Sequence, residues 1–267
     1  MTIPRATRAI VRPVSRSLAA CELSFRDREP IDLERAAAQH GAYAAALEAA
    51  GLTVEWLPEL PDQPDAVFVE DPIVVLDEIA IVGRPGAASR EGEVESVAEA
   101  VGRHRPLRHL PPGAHLEGGD VMRVGKTLYV GRSARTNDAA HRALAEILRP
   151  LGYTVVSVAL TDCLHLKTGV TYAGGDFFLA NPAWVDVSAL SGAEVVPLPA
   201  EEPWAANTLT LGDRVLLPAG FPRTRDLLAR RGLDVVTIDV SELQKAEGSV
   251  TCLSVVFSAR PGREVVA

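Results

Sequence analysis

GYTVVSVALTDCLHLKTGVTYAGGDFFLA, residues Gly152 to Ala180, holds one full instance of the pattern that organises this chain. A glycine opens a β-branched run, and His165 follows 13 residues later. Val170 to Ala173 and Phe177 to Ala180 then flank the turn text Gly174-Gly175-Asp176, which reads as a hairpin. Four more glycines open comparable stretches: Gly51 in GLTVEWLP, Gly102 in GRHRPLRHL, Gly192 in GAEVVPLP and Gly232 in GLDVVTID. The intervals along the chain are 51, 50, 40 and 40 residues, a spacing that marks a repeated unit. Between 13 and 20 residues after each glycine stands a reactive or hydrogen-bonding side chain: Glu70 and Asp71, Glu117, His165, Asn207 and Cys252.

Further hairpins are expected where Ile73–Leu76 meets Ile79–Val82, Val121–Val124 meets Thr127–Val130, and Thr208–Leu211 meets Val215–Leu217. Leu33–Ala50, Asp138–Leu148 and Thr224–Arg231 read as helices that end at glycines suited to a left-handed C-cap. Ser89–Val101 reads as a fourth helix, with Ser89 as its N-cap. The fifth strand, Thr251–Phe257, lacks a hairpin mate, and Ala6–Arg12 is its expected partner. Each unit then runs strand, hairpin, helix, and five around an axis predict a closed α/β propeller, with residues 1–267 forming a single catalytic domain. Near such an axis, residues far apart in sequence share one pocket.

Composition narrows the function. The 267 residues are 47% apolar, with a net charge of -8 and a pI near 5.3, which argues against a nucleic-acid surface or an anionic membrane as partner. No apolar run approaches the roughly 20 residues of a membrane span, and the N-terminal text lacks the apolar core of a secretory signal. A soluble, cytoplasmic protein is expected, compatible with a homodimer. The three cysteines, Cys21, Cys163 and Cys252, form no Cys-x-x-Cys pair. Gly118-Gly119 and Gly174-Gly175 complete no G-x-G-x-x-G entering a helix, so a dinucleotide fold is disfavoured.

If the units superpose, the Cys252 thiol, the His165 imidazole and the Glu117 carboxylate meet as nucleophile, acid/base and orienter. A zinc site from Cys163, His165 and Cys252 is the alternative use of the same residue types. Asp65, Glu70, Asp71, Glu117 and Asp120 lie inside apolar strand text, where a buried charge needs a partner. Forked donors on a planar guanidinium match such paired carboxylates. Arg90 and Arg135, at element starts, read either as ordinary exposed residues or, as a pair, as a clamp on a substrate carboxylate, which with Asp65 on an ammonium would define an α-amino acid.

The series Phe68-Val69-Glu70-Asp71-Pro72, Arg84-Pro85-Gly86-Ala87, Glu117 before Gly119-Asp120, Ser133-Ala134-Arg135-Thr136-Asn137, Leu164-His165-Leu166-Lys167-Thr168-Gly169, Ala205-Ala206-Asn207, Pro218–Arg225 and Thr251-Cys252-Leu253-Ser254 resembles, in order and spacing, the dimethylarginine dimethylaminohydrolases. They belong to the guanidino-group-modifying superfamily, with the five-bladed pentein fold and its pseudo-fivefold symmetry.

The resemblance implies hydrolysis of Nω-methylated arginine to citrulline and an amine. By it, Cys252 matches the nucleophile, His165 the acid/base and Glu117 the orienter. Glu70 and Asp71 match the guanidinium-binding acids, Asp65 the α-amino contact, Arg90 and Arg135 the carboxylate contacts, and Ala246 a backbone carbonyl facing the substrate. Arg16–Glu22 resembles the family's substrate-covering lid. Glu247-Gly248-Ser249 departs from the family's acid followed by two glycines. No metal or organic cofactor is implied, and zinc held between His165 and Cys252 is expected to inhibit. Lys167 stands where arginine deiminases carry an acid that holds a free guanidinium nitrogen, which favours a dialkylated substrate. An arginine deiminase or a related guanidino hydrolase is the alternative reading.

Overall fold

The computed structural model describes residues 6–174 and 177–259, so Gly175 and Asp176 of the expected turn lie outside the described residues. Its strands form five separate three-stranded sheets, each an antiparallel pair with a third strand added in parallel. The expected hairpins are present: Ile73–Val75 with Ala80–Val82, Val121–Val124 with Thr127–Arg132, Val170–Tyr172 with Phe177–Ala180, and Leu209–Leu211 with Arg214–Pro218. In the fifth sheet Val255–Phe257 runs antiparallel to Arg8–Val11, with Arg8 opposite Phe257 and Ile10 opposite Val255. The expected pairing of the first and fifth-unit strands therefore forms.

The unit itself is cut differently from the sequence reading. Each glycine-led strand completes the blade before it: Leu107–His109 pairs in parallel with Ala80–Val82, Thr154–Ala159 with Thr127–Arg132, Glu194–Pro197 with Phe177–Ala180, and Asp234–Ile238 with Arg214–Pro218. Thr53–Trp56 does the same beside Arg8–Val11. The order is hairpin, helix, strand. Parallel neighbours need a crossover, and the helix between them supplies it. Periodicity identifies each strand without naming its neighbour.

Helices Leu33–Ala49 and Asp138–Leu148 begin at side-chain caps, Asp32 accepting from the Arg35 amide and Asn137 from the Ala140 amide. Gly51, Gly152 and Gly232 follow their helices with φ of +90°, +77° and +85°, so these glycines provide the left-handed stop that a Cβ would oppose. Ser89 is not the N-cap expected of it. A 3-10 turn, Ala88–Glu93, leads into helix Val94–Gly102, and the Ser89 hydroxyl donates instead to Glu22 at 2.6 Å. Helix Pro222–Arg230 starts two residues earlier than Thr224, with proline in its first turn.

Hairpin strands such as Ala80–Val82 and Phe177–Ala180 are buried throughout, whereas the parallel third strands alternate between exposed and partly covered residues. Apolar side chains thus fill the space around the blades' inner strands. The loops that lead into Ile73–Val75, Val121–Val124, Val170–Tyr172 and Val255–Phe257 carry most of the polar residues considered next. Among the described residues no helix is long and apolar enough to cross a membrane.

Candidate active site

Cys252, His165, Glu117, Asp71 and Asp65 come from four different blades and line one cleft of about 340 Å³. Arg90, Arg135 and the Ala246 backbone complete its wall. A groove more than twice as voluminous runs along helix Val94–Gly102, but it contains no thiol and no imidazole paired with an acid. The chemistry is in the smaller cleft.

Glu117 is fully buried, and its Oε2 lies 2.8 Å from His165 Nε2 while Oε1 accepts from the Gly86 amide at 2.9 Å. Two further cations face it, Arg135 at 3.5 Å and Arg90 at 3.8 Å. Burial alone would raise the Glu117 pKa. The hydrogen bond and charge of His165, with the two arginines, outweigh it and bring the carboxyl down to about 2. Burial would likewise lower the His165 pKa, yet Asp71, Glu117 and Asp120 hold its proton on and raise it to about 9. His165 is therefore an imidazolium at neutral pH.

The backbone around that ring has no room for side chains. A Cβ on Gly119 would come 2.5 Å from His165 Nδ1 and 3.0 Å from Asp71 Oδ1. Gly119 thus packs its main chain on the imidazole and gives its amide to Asp71 at 3.2 Å. Asp120, fully buried, accepts from the Leu166 amide at 2.9 Å and from the Ser133 hydroxyl, fixing the turn that carries His165.

Cys252 is 9% exposed, and burial first, then the charges of Glu70 and Asp71, push its thiol up to about 12. Cys163 is no partner to it. Its thiol packs behind the site, donates toward the His165 carbonyl at 3.6 Å, and is pushed up to about 12 by burial. Among the described residues the three side chains spaced for a metal are Asp71, Glu117 and His165, within 4.8 Å of one another, and the set includes neither cysteine.

Two expected residues, Glu70 and Arg90, have partners other than those the sequence reading gave them. Glu70 is not among the residues lining the cleft: it lies beside Cys252, donating its amide to the Cys252 carbonyl at 3.2 Å, with Oε1 paired to Lys167. Its compensated charge explains the position, because a buried acid pairs with the nearest cation. Arg90, expected on a substrate carboxylate, instead holds Asp71 and Glu93, each at 2.8 Å. Arg135 touches Glu117 and the Ser24 hydroxyl, and its Nη1 has no hydrogen-bond partner among the described residues. Asp65, expected on an α-amino group, lines the cleft and takes the Glu22 amide at 3.1 Å.

Asn207 was singled out by its repeat position alone. Its Nδ2 donates to Thr251 Oγ1 at 3.0 Å and to the Lys167 carbonyl at 3.1 Å, while Oδ1 accepts from the Thr251 amide at 3.1 Å. It ties the turn bearing Cys252 to the turn bearing His165. Asn207→Ala leaves a buried amide and carbonyl unpaired, an expected loss of about 2 kcal/mol. Misplacing two reacting groups is expected to lower kcat by roughly 10²-fold. Thermal melting and steady-state kinetics check the two effects separately, and unchanged kcat would deny Asn207 this role.

Five three-stranded blades with an axial cleft of cysteine, histidine and acids define a pentein of the guanidino-modifying class. The family model for N,N dimethylarginine dimethylhydrolase, eukaryotic, matches residues 17–174. The chain is 39% identical over 252 residues to an N(G),N(G)-dimethylarginine dimethylaminohydrolase of Pseudomonas aeruginosa, covering 93% of this chain and 98% of that one. A Streptomyces coelicolor protein of the same name is 40% identical over 249 residues, covering 93% and 96%. The crystal structure of a cysteine-to-serine mutant of the P. aeruginosa enzyme complexed with citrulline superposes with a TM-score of 0.88 at 36% identity, covering 95% of this chain and all of that one. The chain belongs to the dimethylarginine dimethylaminohydrolase family.

Proposed function

We propose that this chain, acting as one catalytic domain, hydrolyses Nω-methylated L-arginine, asymmetric dimethylarginine and monomethylarginine, to L-citrulline and dimethylamine or methylamine. The observation that carries the reading is the convergence of Cys252, His165 held by Glu117, and Asp71 on one cleft that Asp65 and Arg135 also line.

Asp71 receives the cationic guanidinium beside Cys252. Without a cation there, burial and two acids keep the thiol protonated. A guanidinium seated against Asp71 cancels part of that negative field, so the thiol loses its proton to solvent as substrate binds. The thiolate adds to the central guanidinium carbon. His165, already charged, gives its proton to the methylated nitrogen as the C–N bond breaks, leaving a cysteine thiouronium and a neutral imidazole. The imidazole then takes a proton from water, whose oxygen adds to the same carbon. As the adduct collapses the C–S bond breaks, the hydroxyl proton passes to the departing Cys252 sulfur and restores the thiol, and citrulline leaves with its new C=O. Asp65 on the ammonium and Arg135 on the carboxylate hold the amino-acid end, with the Ala246 carbonyl alongside.

Arginine deiminase chemistry is the second reading, and the Lys167 pair with Glu70 disfavours it. By the family resemblance Lys167 stands where a deiminase carries an acid, and here that position is a cation paired with Glu70, which leaves no acceptor for an unsubstituted guanidinium end. In one citrulline assay, dimethylarginine is expected to exceed arginine in kcat/KM by at least about 10²-fold. Faster turnover of arginine would reassign the chain, and no turnover of any guanidino compound would reject the reading.

A further inference from the structure

The segment Glu22–Arg26 crosses the mouth of the cleft and is fastened on both sides. At one end the Glu22 amide donates to Asp65 at 3.1 Å, and the Glu22 carboxylate accepts from Ser89. At the other, Glu247 takes three consecutive backbone amides: Ser24 at 3.1 Å, Phe25 at 2.5 Å and Arg26 at 2.7 Å. Between them Arg135 donates to the Ser24 hydroxyl at 3.3 Å, and the Arg26 guanidinium stacks 4.6 Å over the Trp204 ring. A carboxylate facing three amides in a row is a strong, directional fastening.

Glu247 also holds φ at +60°, in the left-handed region that favours glycine. A non-glycine residue there lacks a backbone reason, and the carboxylate's grip on the crossing segment supplies one. The residue stands between Ala246 and Gly248, in the wall shared by the catalytic cleft and a neighbouring cleft of about 360 Å³ lined by Arg26, Trp204 and Asn207. Gly248 beside it is closely confined, since a Cβ would meet the Phe68 ring at 2.0 Å. One short segment therefore carries the fastening and, five residues on, the nucleophile.

We propose that Glu247 is the latch of a lid formed by Glu22–Arg26, a positioning residue whose carboxylate sets access to Cys252 and holds the lid against bound substrate. This rests on the reading of the cleft as catalytic, but its test does not require turnover. Glu247→Gly removes the latch while suiting the left-handed backbone, so its melting temperature is expected to stay level or rise. Glu247→Gln keeps an acceptor without the charge.

In the glycine variant, alkylation of Cys252 by iodoacetamide, mapped by peptide mass spectrometry, is expected to quicken at least tenfold. Tryptic cleavage after Arg26 or Arg28 is expected to quicken with it. KM for dimethylarginine is expected to rise at least fivefold with kcat changed less, and Glu247→Gln to fall between wild type and glycine. Alkylation and cleavage within twofold of wild type in a folded glycine variant would overturn the latch. If wild type turns over no guanidino compound, the alkylation and cleavage results still decide the latch, so the two failures are distinguishable. Should the glycine variant melt early, the same two measurements on Glu247→Gln decide.

Discussion

Cys252→Ser is expected to lower citrulline formation by on the order of 10³-fold or more while dimethylarginine still binds. A hydroxyl replaces the thiol at nearly the same size, so the buried site repacks little. The neighbouring turn is held independently, with Tyr43 Oη 2.7 Å from both the Val250 carbonyl and the Ser254 hydroxyl. Chemistry suffers where structure does not. Two carboxylates and burial already oppose ionisation of the thiol, and a hydroxyl starts several pKa units higher, so the guanidinium's field cannot produce an alkoxide. Calorimetric titration with dimethylarginine alongside the citrulline assay separates binding from turnover. Rates equal to wild type would remove Cys252 from the mechanism.

Glu117→Gln is the second large effect. The neutral amide loses the charge that keeps His165 protonated and leaves Arg90 and Arg135 with one carboxylate fewer, so kcat is expected to fall by about 10²- to 10³-fold. Breaking a buried pair from one side is also expected to cost about 3 kcal/mol of stability or more. The pH dependence has a definite sign. Glu117, depressed to about 2 from 4.5, contributes stability present above 4.5 and lost as pH falls toward 2. His165, raised to about 9 from 6.5, contributes stability present below 6.5 and lost as pH rises through 9. Their joint contribution is largest between about pH 4.5 and 6.5. In the variant, melting temperature is expected to vary less with pH, and the alkaline limb of kcat to move down by a unit or more. A limb that stays near pH 9 would separate Glu117 from the proton on His165.

The repeat was legible because glycine stops, hairpin turns and apolar runs are local signals, and the spacing of Gly51, Gly102, Gly152, Gly192 and Gly232 repeats them. The assignment of strands to blades was not, since Leu107–His109 reads equally well as the start of one unit or the end of another until its parallel neighbour is seen. Among site residues, Cys252, His165 and Glu117 were legible by residue type and repeat position. Partner choice was not. That Arg90 faces Asp71 and Glu93, that Lys167 occupies Glu70, and that Asn207 joins two turns all depend on side chains brought together by the axis. Glu247 gave one faint signal, an acid before Gly248 in a segment leading to the nucleophile, but its left-handed backbone has no signature in sequence.

Four blades start from a hairpin whose strands are only a few residues apart, whereas the blade that leads to Cys252 needs residue 8 to find residue 257. This pairing has the longest sequence separation among the five antiparallel pairs, and closing so long a loop costs more chain entropy than closing a hairpin. Four of the five sheets start from such near neighbours, and the sheet holding the strand after Cys252 is the one that joins residues far apart in sequence. Without that pairing the facing edges of Arg8–Val11 and Val255–Phe257 would be open, which is where association with another chain would compete. The placement of Cys252 in the cleft thus depends on the one sheet whose antiparallel pair spans nearly the whole described chain.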